Sequence, residues 1–396
     1  MKKSLFALAA LSAVAGAAQA QSSVTVYGIL DVGFASTSSR NGTTKMITNM
    51  FDQSRETSSR LGFKGTEDLG GGLSAFFTAE TGLNPNANTF SSMDNRQTFV
   101  GLAKKGAGAA SIGTQYTVLH NEFTQIDPGM SNNNAGSVLR PSGANTNTNV
   151  EAGQYTSSTA YVIESTNMII ANSESFAGFR GNAMYVQNGA NKTITPVSTA
   201  STTGGQTNYT GWGLSGDYTW NKLYATAAYQ SFKQVQNVNG VSGQAAAVLK
   251  PDTQNTLGSS SNNTDNQFLV GASYDFGILK AYAGYISRKL TSTYNSNDYV
   301  KRTAQQIGVR SYITPTIESW ASIGNGRYSG TATGSVANSS APTANFNAWQ
   351  LGTNYYLSKR TNLYGIYGQS LTSSTSINNY AGAATSQFSL GVRHTF

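Results

Sequence analysis

The sequence predicts an all-β fold, a closed antiparallel β-barrel of about sixteen strands that spans a membrane. Three observations support this prediction: apolar and polar residues alternate with period two, the connections between alternating segments switch between short and long, and charges are few. Charged residues make up 11% of the chain, against about 25% in soluble domains. Such a composition is typical of a barrel with one face toward lipid and the other toward water.

The first twenty residues predict a targeting segment. Two lysines follow the first Met, an apolar run occupies residues 5–15, and residues 18–20 (AQA) supply small side chains for cleavage. This pattern is typical of a secretory signal peptide over residues 1–20, and it leaves 21–396 as the barrel. The apolar run is too short for a helical membrane anchor, since a helix needs about 20 apolar residues to cross a bilayer.

The period-two alternation is clearest in three segments of about ten residues, the length of a tilted membrane strand. Near the C-terminal end of the sequence, Phe388 and Leu390 fall on one face and Gln387 falls on the other. The same period runs over residues 268–276 and over residues 24–34. Alternation at this length predicts strands that separate a lipid face from a water face.

The connections predict the number of strands. Seven short turns are expected, at residues 66–72, 104–109, 174–178, 220–222, 276–278, 312–318 and 357–361. Seven or eight long segments rich in Ser, Asn, Thr and Gly join the other strands, which gives about sixteen strands. Short periplasmic turns and long outer loops are typical of outer-membrane barrels, whereas a soluble β-sandwich would not separate its connections by length. Because hydrocarbon offers no hydrogen-bond partner, the first and last strands must pair.

Five motifs carry a family resemblance. They are VTVYGILDVGF (24–34), SRLGFKGTEDLGGG (59–72), FVGL (99–102), LSKRTNLY (357–364) and GVRHTF (391–396). Together they resemble the trimeric general porins of β-proteobacteria, of the Neisseria and Burkholderia type. The resemblance implies a sixteen-stranded homotrimer in the cell outer membrane, a third outer loop that folds inward, and passive passage of ions and small hydrophilic solutes. It also implies that the outer-membrane barrel assembly machinery reads the terminal Phe396.

Three cations are candidates for one side of a pore constriction. Alternation places Arg60 and Lys64 on the face opposite Phe63, toward the lumen, and it turns Arg96 inward as well. The resemblance implies that Arg60 and Arg96 belong to a basic wall at the narrowest point of the pore. The other possibility is that these charges only hydrate a wide lumen or pair locally.

Three carboxylates are candidates for the acidic side. The resemblance implies an acidic residue at Glu80 and another in the third loop, which runs over about residues 119–165. Asp127 is the best match in that loop and Glu122 is the second. A field between cations and carboxylates would orient dipolar solutes and bias the choice of ions.

Two positions depart from the family's basic wall. Thr114 stands where family members usually carry a basic residue, and Ser165 lies in the segment where they carry a further arginine. We therefore expect any anion preference to be weak.

No enzyme, metal or cofactor is expected. The chain has two histidines and no cysteine, and no spacing of His, Asp and Glu suggests a metal site or a catalytic base beside a nucleophile. Once the two lysines of residues 2 and 3 are removed, the formal charge falls from +8 to +6 without a clustered run. Nucleic acid is therefore not an expected partner.

The expected partners are two further copies of the chain in a homotrimer, outer-membrane lipid and lipopolysaccharide, the barrel assembly machinery, and the small hydrophilic solutes and ions that pass. Two alternatives remain open: a substrate-specific channel, and a structural or adhesin barrel without transport. A barrel of sixteen strands favours transport, since it leaves an aqueous channel, whereas barrels of about eight strands fill with side chains.

Overall fold

The computed structural model of the protein describes residues 23–41, 43–91, 94–141, 155–157, 160–191, 205–238, 263–293, 296–297, 299–331, 343–373 and 382–396. The expected signal peptide, residues 1–20, lies outside these ranges, as does most of the longest connections (192–204, 239–262 and 332–342). No helix in the described ranges is long and apolar enough to cross a membrane.

The described residues form eighteen β-segments and one α-helix. In chain order they are β1 (Ser23–Asn41), β2 (Thr44–Gln53), β3 (Arg60–Gly70), β4 (Leu73–Gly82), β5 (Asn95–Lys104), β6 (Gly108–Tyr116), α1 (Val118–Ile126), β7 (Tyr155–Ser157), β8 (Val162–Ser173), β9 (Phe179–Asn191), β10 (Gly205–Trp220), β11 (Leu223–Val238), β12 (Asn263–Asp275), β13 (Lys280–Ser292), β14 (Tyr299–Thr314), β15 (Ile317–Thr331), β16 (Ala344–Tyr356), β17 (Thr361–Thr372) and β18 (Ala383–Thr395).

Sixteen strands form the wall of a closed barrel, which confirms the predicted fold class. β2 and β3 both pair with β1, one above the other, so they are successive parts of one wall strand. The three-residue β7 pairs with β8 inside the connection from β6 to β8. The remaining strands pair antiparallel with their neighbours, and β18 pairs with β1 from Ile29↔Thr395 to Asn41↔Ala383. This last pairing removes the sheet edge.

The end of the chain completes the closure. Gly28 N donates to Phe396 O and Phe396 N donates to Gly28 O, both at 3.0 Å. A Cβ at position 28 would overlap the Phe396 ring, so glycine is what admits the aromatic side chain against β1. Both backbone groups of the last residue are thereby paired.

The alternation places side chains as predicted. Phe388 and Leu390 are 38% and 48% exposed on the outer surface, whereas Gln387 and Ser389 are buried inside the barrel. The short turns are also confirmed, at residues 71–72, 105–107, 174–178, 221–222, 276–279, 315–316 and 357–360. At five of these seven turns the strands extend further toward the turn than the sequence predicted.

Candidate functional site

The three predicted cations lie together on the lumen side of β3 and β5. Phe63 is 43% exposed on the outer surface. Because side chains alternate between the two faces of a strand, Arg60 and Lys64 lie on the opposite, inward face of β3. Arg96 lies on β5, and its side chain contacts Glu80 of β4, which Arg60 also contacts. We call Arg60, Lys64 and Arg96 the basic wall.

Glu80 lies within the basic wall and not on the acidic side where the family resemblance predicts it. Its Oε1 atom is 2.7 Å from Arg96 Nε and 3.7 Å from Arg60 Nη1. The carboxylate is buried between the two arginines. It therefore offsets one of the three cations, and the group keeps a formal charge of +2.

Two tyrosines fix the geometry of this group. Tyr27 OH donates to Glu80 Oε2 at 3.1 Å, and Arg96 Nη2 donates to Tyr116 OH at 2.6 Å. Lys64 Nζ lies 5.4 Å from the centre of the Tyr27 ring. In the part of the chain that the structure describes, Lys64 has no ion pair and its side chain is exposed. Its charge therefore faces the water of the lumen.

The third loop packs its apolar side chains against the other side of the barrel. It leaves β6 at Thr117, whose side chain caps α1. Leu119 and Phe123 of α1 are fully buried and form one cluster with Leu269 on β12 and Ile286 on β13. Removing this apolar surface from water holds the helix against the inner face of the wall, which confirms the inward fold of the loop.

Glu122 of α1 is turned toward the barrel wall, where it accepts four hydrogen bonds. Ser215 Oγ and Asn182 Nδ2 donate to its Oε1 at 2.8 Å and 3.0 Å. Tyr224 OH and Thr226 Oγ1 donate to its Oε2 at 2.6 Å and 2.8 Å. Because these donors belong to β9, β10 and β11, the carboxylate joins the helix to three strands.

Asp127, at the end of α1, is also turned toward the wall. It accepts hydrogen bonds from Gln306 Nε2 at 3.1 Å and from Ser131 N at 2.7 Å. Burial raises the pKa of the Asp127 carboxyl, and these hydrogen bonds and the charge of Arg140 offset part of that rise. Its environment favours the neutral form more than water does.

The rest of the described loop runs across the wall as far as β18. Asn132 Nδ2 donates to Gln350 Oε1 at 2.7 Å, and Ala135 N donates to Gln387 Oε1 at 3.0 Å. A Cβ at position 368 would overlap Ala135 O, so Gly368 is required for this close approach. The loop thus covers the inner wall from β9 to β18.

A second inward element, residues 54–59, was not predicted. It interrupts the wall strand between β2 and β3, and Glu56 N donates to the buried Asp31 Oδ2 at 2.8 Å. Arg55 O accepts a hydrogen bond from Asn133 N at 2.9 Å, which joins the element to the tip of the third loop. The polar run at these positions, which breaks the alternation, was the signal that could have identified it.

The third loop turns neutral side chains toward the lumen within its described residues. Asn121, Gln125 and Met130 are exposed, whereas Glu122 and Asp127 are buried. The three candidate carboxylates therefore occupy three different places and do not form one acidic side. The arrangement is a positive wall that faces a loop whose exposed side chains, among its described residues, are neutral.

The two departures from the family pattern add no charge to this arrangement. Thr114 is buried and accepts a hydrogen bond from Asn95 Nδ2 at 3.1 Å, and Ser165 is fully buried. The positive charge of the wall therefore comes from β3 and β5.

Comparison with known proteins places the chain in a family. The model of the Gram-negative porin family matches residues 7–375. The chain belongs to the Gram-negative porin family. An outer membrane porin protein of Bordetella pertussis is 27% identical over the full length of both chains. The major outer membrane protein P.IB of Neisseria gonorrhoeae is 37% identical over 36% of this chain and 40% of that protein. These relatives confirm the resemblance that the five motifs predicted.

The fold agrees with solved porin structures. The anion-selective porin from Comamonas acidovorans superposes with a TM-score of 0.67 at 22% sequence identity, over 95% of this chain and all of that one. As a member of the Gram-negative porin family, the protein is an outer-membrane diffusion channel, and it is built as a closed sixteen-stranded barrel.

Proposed function

We propose that the protein is a general diffusion porin for ions and small hydrophilic solutes, and that the basic wall lines its constriction. Arg60, Lys64 and Arg96 are the charged residues on which this proposal rests, with Glu80 as an internal counter-charge. The observation that carries it is the placement of two arginines on one carboxylate with the exposed Lys64 on the same inward face of β3, facing a third loop whose exposed side chains are neutral. Glu122 and Asp127 would act through the position of the loop.

The same placement favours anions, but weakly. The wall keeps a formal charge of +2, and neither Thr114 nor Ser165 adds to it. In unscreened water a single charge about 10 Å from an ion contributes about 0.4 kcal/mol, or roughly a twofold change in the occupancy of that ion. Chloride and potassium shift in opposite directions, so their ratio changes roughly fourfold, and by less at physiological salt, where the Debye length is about 8 Å. The Comamonas porin is described as anion-selective, which is the direction proposed here.

The assembly belongs to this proposal too. We expect a homotrimer, contact with lipopolysaccharide in the outer leaflet, and insertion by the barrel assembly machinery, which would read Phe396. The place of Phe396 at the closure between β18 and β1 supports the last point, since a residue that completes the barrel is a suitable signal of a finished chain.

Conductance in planar lipid bilayers tests the proposal. The purified porin should open in steps whose size scales with bulk salt conductivity, and closures should come in threes. Reversal potentials in a potassium chloride gradient should show a small preference for chloride. Absence of conductance would favour the adhesin alternative. Saturation by one class of solute would favour a substrate-specific channel.

The double variant Arg60→Ser/Arg96→Ser tests the constriction. It removes two positive charges, and each charge acts on chloride and on potassium in opposite directions. In 10 mM salt, where screening is weak, the ratio of chloride to potassium permeability should therefore fall roughly tenfold. The control Lys359→Ser/Arg360→Ser removes the same charge from an exposed periplasmic turn and should leave the ratio unchanged. Equal ratios in the double variant and the wild type would refute the assignment of the basic wall.

A further inference from the structure

The outer surface of β13, β14 and β15 changes from apolar to charged along the strands. Near the turns the outward residues are apolar, as at Ala283, Ile307 and Ile323. Farther along, Gln305 and Asn325 pair across β14 and β15, with Gln305 Nε2 donating to Asn325 Oδ1 at 3.2 Å. Beyond the two amides, each strand carries an outward cation.

These cations are Lys289, Lys301 and Arg327. Lys289 and Lys301 are direct partners in the register of β13 and β14, so their Cβ atoms are about 5 Å apart. Arg327 pairs with Thr303, two residues from Lys301, which places it about 7–8 Å from Lys301 on the diagonal. We call these three residues the outer cation cluster.

The outer cation cluster lacks an acidic partner. Across the ranges that the structure describes, none of the three residues forms an ion pair. Lys289 Nζ lies 4.5 Å from the centre of the Tyr299 ring, and Arg327 Nη2 lies 3.4 Å from Thr343 Oγ1. Like charges directly opposite each other destabilise a sheet, so an anion between them would stabilise this one.

An apolar groove lies directly below the cluster on the lipid side of the wall. It is an open groove of about 1050 Å³, lined mainly by small and apolar residues of β9 to β15. Ala283, Ile307 and Ile323 belong to its lining, and Gln305 and Asn325 close its upper end. Its volume lies at the upper limit of the roughly 300–1,000 Å³ of ordinary ligand pockets.

The height of the cluster fixes the leaflet. Lys289 and Arg327 stand about ten residues beyond the periplasmic turns that precede β13 and β15, and a tilted strand of about 9–11 residues crosses the hydrocarbon. The cluster therefore lies where the hydrocarbon ends on the long-loop side, at the level of the outer lipid headgroups.

We propose that the outer cation cluster and the groove form one binding site for a phosphate-bearing lipid of the outer leaflet. An acyl chain lies in the groove, and a headgroup phosphate lies between Lys289, Lys301 and Arg327. Arg and Lys both bind phosphate, with Arg able to donate two parallel hydrogen bonds. The site rests on the proposed contact with lipopolysaccharide and is independent of conduction through the lumen.

Binding of bisphosphorylated lipid A to the folded porin in detergent tests this site. Native mass spectrometry should show bound lipid A on the wild type and at least tenfold weaker binding to Lys289→Gln/Lys301→Gln/Arg327→Gln. Lys105→Gln/Lys359→Gln/Arg360→Gln removes the same charge from exposed periplasmic turns and should bind lipid A within twofold of the wild type. Equal binding by both triple variants would overturn the proposal.

Further experiments distinguish binding of the whole lipid from binding of phosphate alone, and distinguish both from a folding defect of the variants. Dephosphorylated lipid A should bind the wild type as weakly as lipid A binds the cluster variant, and millimolar inorganic phosphate should not displace lipid A. The outward Ala283→Trp fills the groove without touching the cations, and it should also weaken lipid A binding. Undiminished binding by Ala283→Trp, or displacement by inorganic phosphate, would refute the two-part site. Single-channel conductance of the same variants should stay at the wild-type value, which keeps this test separate from that of the pore.

Discussion

The two sides of the lumen use their charged side chains in opposite ways. On β3 to β5, Arg60 and Arg96 hold one carboxylate between them, and Lys64 keeps a positive charge that faces water. On the side covered by the third loop, Glu122 is buried and satisfied by four donors from the wall. In the constriction that we propose, the first side shapes the field of the pore and the second holds the loop in place.

This difference shows that the sign of a residue's charge does not by itself reveal its role in a pore. A buried charge must be satisfied by hydrogen bonds because its desolvation is costly, and such bonds tie it to a fixed partner. A charge that remains in water can act on a passing ion. Burial and hydrogen-bond partners therefore separate residues that fix the loop, such as Glu122, from residues that set the field, such as Lys64.

The largest effect is expected for Glu122→Ala. It leaves the hydroxyls of Ser215, Tyr224 and Thr226 without their acceptor, so the free energy of unfolding should fall by about 2–3 kcal/mol. The loss of the link to three strands should also make the open-channel current noisier. Urea unfolding in detergent micelles and single-channel recording measure the two effects.

The control for this variant is Glu67→Ala, which removes a carboxylate from an exposed position near a periplasmic turn. Its effect on unfolding should stay within about 0.5 kcal/mol. If the two variants unfold alike and give equally quiet currents, Glu122 does not hold the loop.

A smaller effect is expected for Asp127→Asn, and it should depend on pH. Because burial raises the pKa of Asp127 in the folded protein, the folded state binds more protons than the unfolded state above pH 3.8, the ordinary value of the group. The stabilisation is full below that pH and is lost as the pH rises through the folded pKa, by about 1.4 kcal/mol for each unit of the rise.

The variant should therefore flatten the decline in stability as the pH rises above about 4, the ordinary pKa of an aspartate. Urea unfolding of the wild type and of Asp127→Asn over a series of pH values measures this. A decline of equal slope in both proteins would show that Asp127 is not the group responsible.

Much of the barrel followed from the sequence because its physical cause is local. Each strand shows its two faces through residues two apart, as at Phe388 and Leu390 against Gln387, and each short turn follows from where that pattern stops. Closure also followed, since an open edge in hydrocarbon cannot satisfy its backbone. The inward orientation of Arg60, Lys64 and Arg96 could be predicted for the same reason, because alternation alone decides which way they point; the role of Arg60 and Arg96 at a constriction came from the family resemblance and stays a prediction.

The roles of the carboxylates depend on contacts between distant parts of the chain, which no local pattern contains. Glu122 meets donors on three strands that follow it by 60 to 104 residues. The family resemblance predicted that Glu80 lies on an acidic side. Its position between Arg60 and Arg96 depends instead on the register of β3, β4 and β5. The element at residues 54–59 was missed because an interruption of the alternation resembles an ordinary loop.

Glu80→Gln should strengthen the selectivity that the basic wall provides. It removes the one carboxylate among three cations, which acts on chloride and potassium in opposite directions, so the chloride-to-potassium permeability ratio should rise roughly threefold at low salt. Arg96→Ser should lower the ratio by a similar factor. Reversal potentials of the two variants in the same gradient, measured beside the wild type, give the opposite shifts. Shifts of the same sign would mean that the wall changes the pore through its shape and not through its charge.

The smallest effect on selectivity is expected for Glu122→Gln, although it also removes one negative charge from inside the barrel. The carboxylate is turned to the wall and is satisfied there by hydroxyl and amide dipoles, so its charge acts less on an ion in the lumen than that of Glu80. The permeability ratio should shift by less than half of the shift in Glu80→Gln. A shift as large as that of Glu80→Gln would place Glu122 in the field of the pore, and the two sides of the lumen would then differ in sign and not in role.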